Sequence, residues 1–550
     1  QLAAGVQVGA TAGGNPNIGG AATNENTYMI DGAAITDPVT GTFSANFNFD
    51  AIQQIEVLLG GYMPEYGVSL GGIVNIVTES GSNNLEFDTS VFYTNGDWRP
   101  RMDERIASDG FTIAQTGFDN TFQTLNINAK VSGPVIRDKA FFILSYAMER
   151  SLISSSGTPQ RRDYEGHYVY GKLTVQPSAD HRFTAGLQLD PTTIDNQVQG
   201  TPWIKASSQQ RQAQGGFIGT ARWQWFLSPE INLDTNFVVQ KSFINVGSVP
   251  CTHNKNRDVH QCRPGEAEGT VDDFTPGRIG IAGAYDSVNN VQVLFDDRWR
   301  FNYGTKLSLV SIDDPLGGTH DFKVGIQGQQ LLWTRLNSIN GNAVYYDTNE
   351  VTFDPTSFTN YYWVEYNSAQ SQRSTGSQFN FFLQDSWKPV PNLTINYGTR
   401  FDNSVMRNDV GEAVLNNSMW GPRLHFAWDP FGDQKTKIAT GYGRFNDTGR
   451  LAVASVTSQS GLGAKLYLGE FFTGSEASGY GYLSNWENNY SYNPTRNLNF
   501  ANDKLRNPYT DEFILILERE IITDFALSSS MSGKMTRNLY EIDDVNTVYG

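Results

Sequence analysis

From Leu85 onward the chain is a succession of segments in which apolar and polar residues alternate with a period of two. LEFDTSVFYTN opens the series at Leu85–Asn95, FQTLNINAKVSGP and KAFFILSYAMER follow, and YTDEFILILERE with DFALSSSMSGK closes it. A period of two places successive side chains on opposite faces, so these segments read as β-strands with two different environments. The connections carry a second regularity. Short turns at Pro134–Asp138, Ser178–Asp180, Pro229, Asp313–Gly318, Val390–Pro391, Gly432–Gln434 and Ile521–Thr523 carry Pro, Asp or Gly in all but the last, as suits tight hairpins. Between them lie long polar and aromatic connections: Asn95–Gly117, Asp190–Gln214, Gly247–Asn290, Thr334–Gly376 and Asp447–Asn507. A soluble sandwich has no reason to confine its long loops to every second connection. A transmembrane antiparallel barrel has one, because short turns face one side of the membrane and long loops the other.

Composition is compatible with that reading. No run of 18 apolar residues occurs, so no transmembrane helix is expected. The mean hydropathy of −0.40 looks soluble, as it does in barrels whose lipid-facing residues alternate with polar lumen residues. Aromatic residues make up 13%, with 25 Tyr and 33 Phe, enough for girdles at both membrane interfaces. The net charge of −17 argues against nucleic acid as a partner, since phosphate binding needs clustered Lys and Arg. No charged or Pro/Ser-rich linker divides the chain, so one large body is favoured.

The residues before Leu85 differ in texture. IEVLL and GGIVNIVT alternate as strands of a small mixed sheet, an acidic turn at Asp31 and Gly32 precedes them, and Gly60, Gly61, Gly67, Gly71 and Gly72 crowd the connection, where backbone must turn sharply or lie against another wall. The run formed by Asp31, Gly32, Ile55, Glu56, Val57, Tyr66, Gly67, Gly71, Gly72, Val74, Asn75, Ile76 and Val77 resembles the second half of the plug domain of a TonB-dependent outer-membrane transporter. Gln1–Val6 resembles the end of the plug's LxxxPGV helix, with Ala4 at the usual proline. FFLQDSWKPVPNLTINYGTRFD, PRLHFAWDPFGDQKTKIATGYGRFND and the closing strands resemble barrel hairpins of the same family, more narrowly of its Oar-like subgroup with a carboxypeptidase-regulatory-like domain.

That resemblance implies an all-β transmembrane protein, with residues 1–82 as the C-terminal portion of a plug and 83–550 as the barrel around it. About fifteen strands are legible where such transporters have about 22 or more. The sequence is therefore expected to be truncated at both ends, lacking the signal peptide, the TonB-contacting box, the regulatory domain and the last strands. The implied function is uptake of a scarce ligand across the outer membrane of a Gram-negative bacterium, driven by the proton-motive force through the TonB–ExbB–ExbD complex. The implied surroundings are outer-membrane lipid. The alternative from the same subgroup is an outer-membrane scaffold or adhesion protein whose long loops bind partner proteins.

Candidate residues follow from this architecture. Family members often carry Ile-Arg-Gly near Ile18, its arginine pairing with barrel glutamates; here Gly19 and Gly20 leave it out, and Asn15, Asn17 and Asn24 are expected to hold the plug by hydrogen bonds instead. Plug-apex ligand contacts are expected from Asn15, Asn17, Asn24, Thr42, Phe43 and Asn46. Loop aromatics Trp98, Trp203, Tyr361, Trp363, Tyr480 and Tyr490 either stack on ligand or serve as packing and lipid anchors. Cys251 and Cys262 are expected to form a disulfide in an oxidising compartment, His253 and His260 between them leaving a metal site as the alternative. Asp313 and Asp314 beside Gly317 could hold a structural calcium or make a plain turn; no other cofactor is expected. No Gly-x-Ser-x-Gly elbow, Walker loop or HExxH motif occurs, and no enzymatic activity is expected.

Overall fold

The computed structural model describes residues 6–8, 15–67, 69–98, 104–106, 112–114, 122–153, 161–197, 209–248, 277–279, 293–313, 317–338, 343–347, 359–366, 370–457, 464–471, 487–490, 505–523 and 525–540. Strands β1 (Val6–Val8) and β2 (Pro16–Ile18) pair with each other. Strands β3 (Thr27–Ile30), β4 (Ala33–Ala34), β5 (Ile52–Leu58) and β6 (Ile73–Thr78) form a sheet in the order β4-β3-β6-β5, with β3 parallel to β6 and β5 antiparallel to it. This is the mixed sheet expected from the alternation, with Ile55 opposite Ile76 and Val57 opposite Val74. The acidic turn joins β3 to β4: Asp31 (φ 49°) and Gly32 (φ 81°) take the left-handed backbone that Asp tolerates and Gly prefers.

The wall begins with β7 (Glu86–Asn95). After the short pair β8 (Glu104–Ile106) and β9 (Thr112–Ala114) come β10 (Phe122–Ile136), β11 (Ala140–Ile153), β12 (Arg162–Ser178), β13 (His181–Leu189), β14 (Thr192–Asp195), β15 (Gln210–Phe226) and β16 (Ile231–Ser248). Past β17 (Gly277–Ile279) follow β18 (Val293–Asp313) and β19 (Thr319–Ser338); past β20 (Ala343–Asp347) and β21 (Thr359–Tyr366) follow β22 (Gln370–Val390), β23 (Leu393–Arg407), β24 (Ala413–Trp428) and β25 (Thr436–Asn446). A short helix α1 (Leu451–Val456), β26 (Ala464–Phe471) and β27 (Glu487–Tyr490) precede the last hairpin, β28 (Tyr509–Ile522) and β29 (Phe525–Arg537). The wall is a 16-stranded antiparallel sheet running from β29 to β7, with β14 continuing β13 between β12 and β15. Within the described residues β7 and β29 are the two end members of this order and do not pair with each other.

The strand faces sort as a membrane wall requires. Along β11 the inward residues Ile143, Ser145 and Ala147 are buried, whereas Leu144 and Tyr146 between them are 49% and 37% exposed. The same outward set recurs around the sheet in Leu173, Phe183, Leu187, Phe237, Phe301, Val324, Ile326, Leu383, Leu424, Phe513 and Leu515. Such a continuous apolar belt is far larger than water tolerates and matches lipid. Near the short turns Trp223 stacks on Trp225 and Phe183, with the His181 ring tilted against both tryptophans, an interfacial girdle. Leu144→Arg is expected to cost about 2–4 kcal/mol, the range for a lipid-face cation at mid-bilayer. Urea titration of the protein refolded into lipid vesicles measures it, and an unchanged midpoint would contradict the outward assignment.

Two features depart from the sequence reading. β18 and β22 each run to 21 residues, about twice the length that crosses the hydrocarbon core, so the wall projects beyond the membrane. The long connections are also not irregular throughout, since β17, β20, β21, β26 and β27 assemble into a second sheet of five strands, in that order. Runs such as TNYYWVEY have strand-forming aromatics on consecutive positions, and this destroys the alternation by which the wall strands were recognised.

Candidate functional site

The sheet β3–β6 and its loops occupy the lumen, and the side chains joining them to the wall define the site. Lys130 of β10 meets Glu79 at 2.8 Å. Lys172 of β12 meets Asp31 at 3.2 Å and donates to Thr78 Oγ1 at 2.8 Å; Tyr170 also donates to that hydroxyl, and the Asp31 carboxylate accepts from both the amide and the hydroxyl of Thr78. Further along, Arg298 of β18 bridges Asp37 of the plug (3.0 Å) and Asp296 of its own strand (2.6 Å). Asn302 donates to the Ala34 carbonyl, and Asn48 of the plug donates to Ser145.

The densest attachment is at Tyr62–Tyr66. Arg423, buried in β24, donates through Nη1 to the carbonyls of Tyr62, Met63 and Tyr66 at 3.0, 2.6 and 3.0 Å, and its guanidinium lies over the rings of Tyr62 and Phe445. Arg400 of β23 donates to the Pro64 carbonyl at 3.2 Å while Asp402 and Gln327 hold its other nitrogens. Glu65 meets Lys323 at 2.7 Å and Lys306 at 3.2 Å, and Gln384 accepts from its amide and donates to its carboxylate. Burial alone would raise the Glu65 carboxyl, but Lys306 and Lys323 together outweigh it and hold it below the usual carboxylate range. A carboxyl lowered on folding stabilises fully above its unfolded value, about 4.3, and loses that contribution as pH falls through the lowered folded value. Melting of the purified protein is thus expected to weaken below about pH 4, with Glu65→Gln flattening that limb; equal acid sensitivity in the variant would remove Glu65 from the account.

The charged contacts share a polarity that sequence reasoning did not anticipate: the wall supplies the cations, and the plug supplies carboxylates and carbonyls. At Gly19, φ is +60° and a Cβ would stand 2.8 Å from Nζ of Lys534, which reaches in from β29 beside Glu512 at 3.6 Å. A wall lysine thus stands against the plug at this glycine. Of the asparagines expected to hold the plug, Asn15 accepts from the Phe43 amide in the plug's own loop. The lumen cations were legible only as polar residues on inward positions, and nothing in the spacing paired them with Tyr62–Tyr66.

Above the plug, between its loop Asp37–Asp50 and the wall, lies a cavity of about 910 Å³. Its wall residues include Tyr164 of β12, Ile244 of β16 and Arg298 of β18, each a few positions from the strand end opposite the short turns. Asn15, Thr42, Phe43 and Asn46 line it. Asn46 is clamped there, donating from its amide to Asp190 at 2.8 Å and accepting from Gln188 on its carbonyl at 2.7 Å. Asn24 lines a different, smaller chamber, and neither it nor Asn17 is part of this lining. Of the aromatics, Trp98 is exposed and packs edge-on against Tyr93; Tyr361 and Trp363 lie in β21 and Tyr490 in β27. Trp203, Tyr480, Cys251, Cys262 and Asp314 lie outside the described residues; Asp313 ends β18.

A stopper held inside a lipid-facing antiparallel sheet, with a cavity of mixed polar and apolar lining beside it, defines a plugged outer-membrane barrel. The outer membrane beta barrel domain family matches residues 158–417 and 404–550, and the TonB-dependent receptor plug domain matches residues 1–73. The chain belongs to this family of TonB-dependent receptors of the Gram-negative outer membrane. It is 24% identical over 517 residues to the TonB-dependent transporter Oar of Myxococcus xanthus, covering 78% of this chain and 47% of that protein, so it spans about half the length of the curated relative it matches. The outer membrane transporter YddB from Escherichia coli superposes with a TM-score of 0.62 at 13% identity, covering 93% of this chain and 61% of that one. The alcaligin outer membrane receptor FauA from Bordetella pertussis gives 0.54 at 11% identity, covering 98% and 76%.

Proposed function

We propose that the protein imports a scarce ligand across the outer membrane, with the cavity above the plug as the binding site and the plug as the gate. The observation that carries this reading is the occupied lumen. The sheet β3–β6 is tied by ion pairs and carbonyl contacts to wall strands from β10 to β24, so a solute in the cavity passes only if those contacts are released. The outer membrane holds no nucleotide and no ion gradient of its own. Energy for the release comes from the inner membrane through TonB, ExbB and ExbD, as the kinship with TonB-dependent transporters suggests. The cavity's volume falls in the range that encloses a small or medium ligand, and its aliphatic and aromatic faces with a few amides and hydroxyls suit an amphipathic one. Catalysis is not part of this reading, and a structural calcium at Asp313 has no role in it.

A second reading rests on the sheet β17, β20, β21, β26 and β27, which offers a platform beside the wall for a partner protein. Uptake of radiolabelled ferric siderophores, oligosaccharides and peptides separates the two in cells with and without TonB. Accumulation of one class only when TonB is present, abolished by Asn46→Trp in the cavity, is the expected result. No accumulation of any class, with a protein crosslinked to the platform instead, would favour the scaffold.

A further inference from the structure

The large cavity carries its charges unevenly. Among its described lining residues the charged side chains are Asp37, Asp50, Glu149, Asp190 and Arg298. Arg298 is committed to Asp37 and Asp296, and Lys130, outside the lining, is held by Glu79 and the Asp50 carbonyl. Glu149 and Asp190 are left without a cation among the described residues.

Glu149 belongs to a corner of the wall built from acceptors. Across the ladder from it stand Asn126 of β10 and Gly166 of β12. The side-chain oxygen of Asn126 is buried without a hydrogen-bond donor, and the hydroxyls of Tyr164 and Tyr168 meet beside Gly166, where any side chain would collide with that of Tyr168. The carboxylates of Glu149 and Asp190 both lie within electrostatic reach of the Tyr168 hydroxyl. A half-buried carboxylate without a partner is costly, and the group that relieves it best is an N–H donor bearing positive charge. Phe43, Ile55, Val74 and Phe92 supply an apolar face elsewhere on the same lining.

Resting on the reading of this cavity as the ligand site, we propose that the ligand is a small amphipathic organic cation, its ammonium or guanidinium group docking at Glu149, Asn126 and the Tyr164–Tyr168 pair. Asp190 also holds the Asn46 amide, so the charged end of the ligand sits where wall and plug loop meet.

The test is isothermal titration of the full-length protein in detergent with four acetyl-capped dipeptide amides: phenylalanyl-arginine, phenylalanyl-lysine, phenylalanyl-citrulline and phenylalanyl-glutamate. The arginine and lysine peptides should bind at least about tenfold more tightly than the citrulline peptide, as a charge-assisted hydrogen bond provides, and the glutamate peptide should not bind. Glu149→Gln should bring both cationic peptides to the citrulline level, and Asn46→Trp should abolish binding. Equal affinity for the citrulline peptide, or cationic binding unchanged in Glu149→Gln, overturns the proposal and leaves the cavity's role as ligand site standing. Binding that survives Asn46→Trp lies outside the cavity and overturns both. No binding of any of the four overturns the cationic class, while the uptake assay still decides the cavity. Should Glu149→Gln fail to fold, the ranking of the arginine peptide against the citrulline peptide on wild type decides it alone.

Discussion

Arg423→Met is expected to loosen the plug by about 3–5 kcal/mol while leaving the wall's strand pairing intact. Three plug carbonyls, those of Tyr62, Met63 and Tyr66, converge on one nitrogen of this side chain. Methionine fills much of the volume and keeps a contact with the rings of Tyr62 and Phe445, so the loss isolates the donors. An acceptor left dry in the interior costs about 1–3 kcal/mol, and the Met63 carbonyl keeps a second donor in the Tyr66 amide, which is why the total stays below the sum of three. Limited proteolysis of the folded protein reads this directly, since a loosened plug is cut at residues 60–67 while the wall resists. Arg519→Ala is the control: that arginine is exposed over Phe431, and its loss is expected to be near neutral. A variant as resistant as wild type would show that the Tyr62–Tyr66 contacts do not hold the plug.

Asp31→Asn is expected to destabilise by a similar amount, for an electrostatic reason. Asparagine accepts the same left-handed backbone, so the turn at φ 49° is spared, and what is lost is the charge together with one of the two oxygens that accept from Thr78. What remains is the Lys172 ammonium, whose side chain is 8% exposed and whose other partners are the hydroxyl and carbonyl of Thr78. An ammonium buried without its counter-charge costs about 3–5 kcal/mol, so adding Lys172→Met should recover a large part of the loss. Additive losses in the double variant, measured by chemical denaturation in detergent, would show that the two side chains do not act as a pair.

The architecture was largely written in the chain because the lipid belt obliges every second wall residue to be apolar. Leu144 and Tyr146 outward with Ser145 and Ala147 inward is the same pattern read from letters or from coordinates. The acidic turn and the glycines were legible for a related reason: Asp31 and Gly32 need positive φ, and a side chain at Gly72 would collide with Ile18. The site was less legible. Asn15, Thr42, Phe43 and Asn46 could be assigned to the apex from chain order, but Asp190 and Gln188, which hold Asn46, are 144 and 142 residues away and carry no local signature. Arg400 and Arg423 are 336 and 361 residues from carbonyls they bind. A backbone carbonyl is present at every position, so no letter of the sequence marks it as a partner. The five-stranded sheet escaped because aromatic runs such as that of β21 strengthen strand formation while erasing the period by which strands are found.

The order of the fastenings has a mechanical consequence. Lys130, Lys172, Gln188, Arg298, Lys323, Arg400 and Arg423 follow one another around the perimeter, each on a different strand. Along the stopper's own chain their partners fall at Asp31, Asp37, Asn46, Tyr62–Glu65 and Glu79, so a load applied at one end of that chain meets them in turn, like stitches in a seam, and the peak force is set by the cluster at Tyr62–Glu65 rather than by the whole seam. A stopper that would never fall out by thermal motion can still be unpicked by a modest, sustained pull.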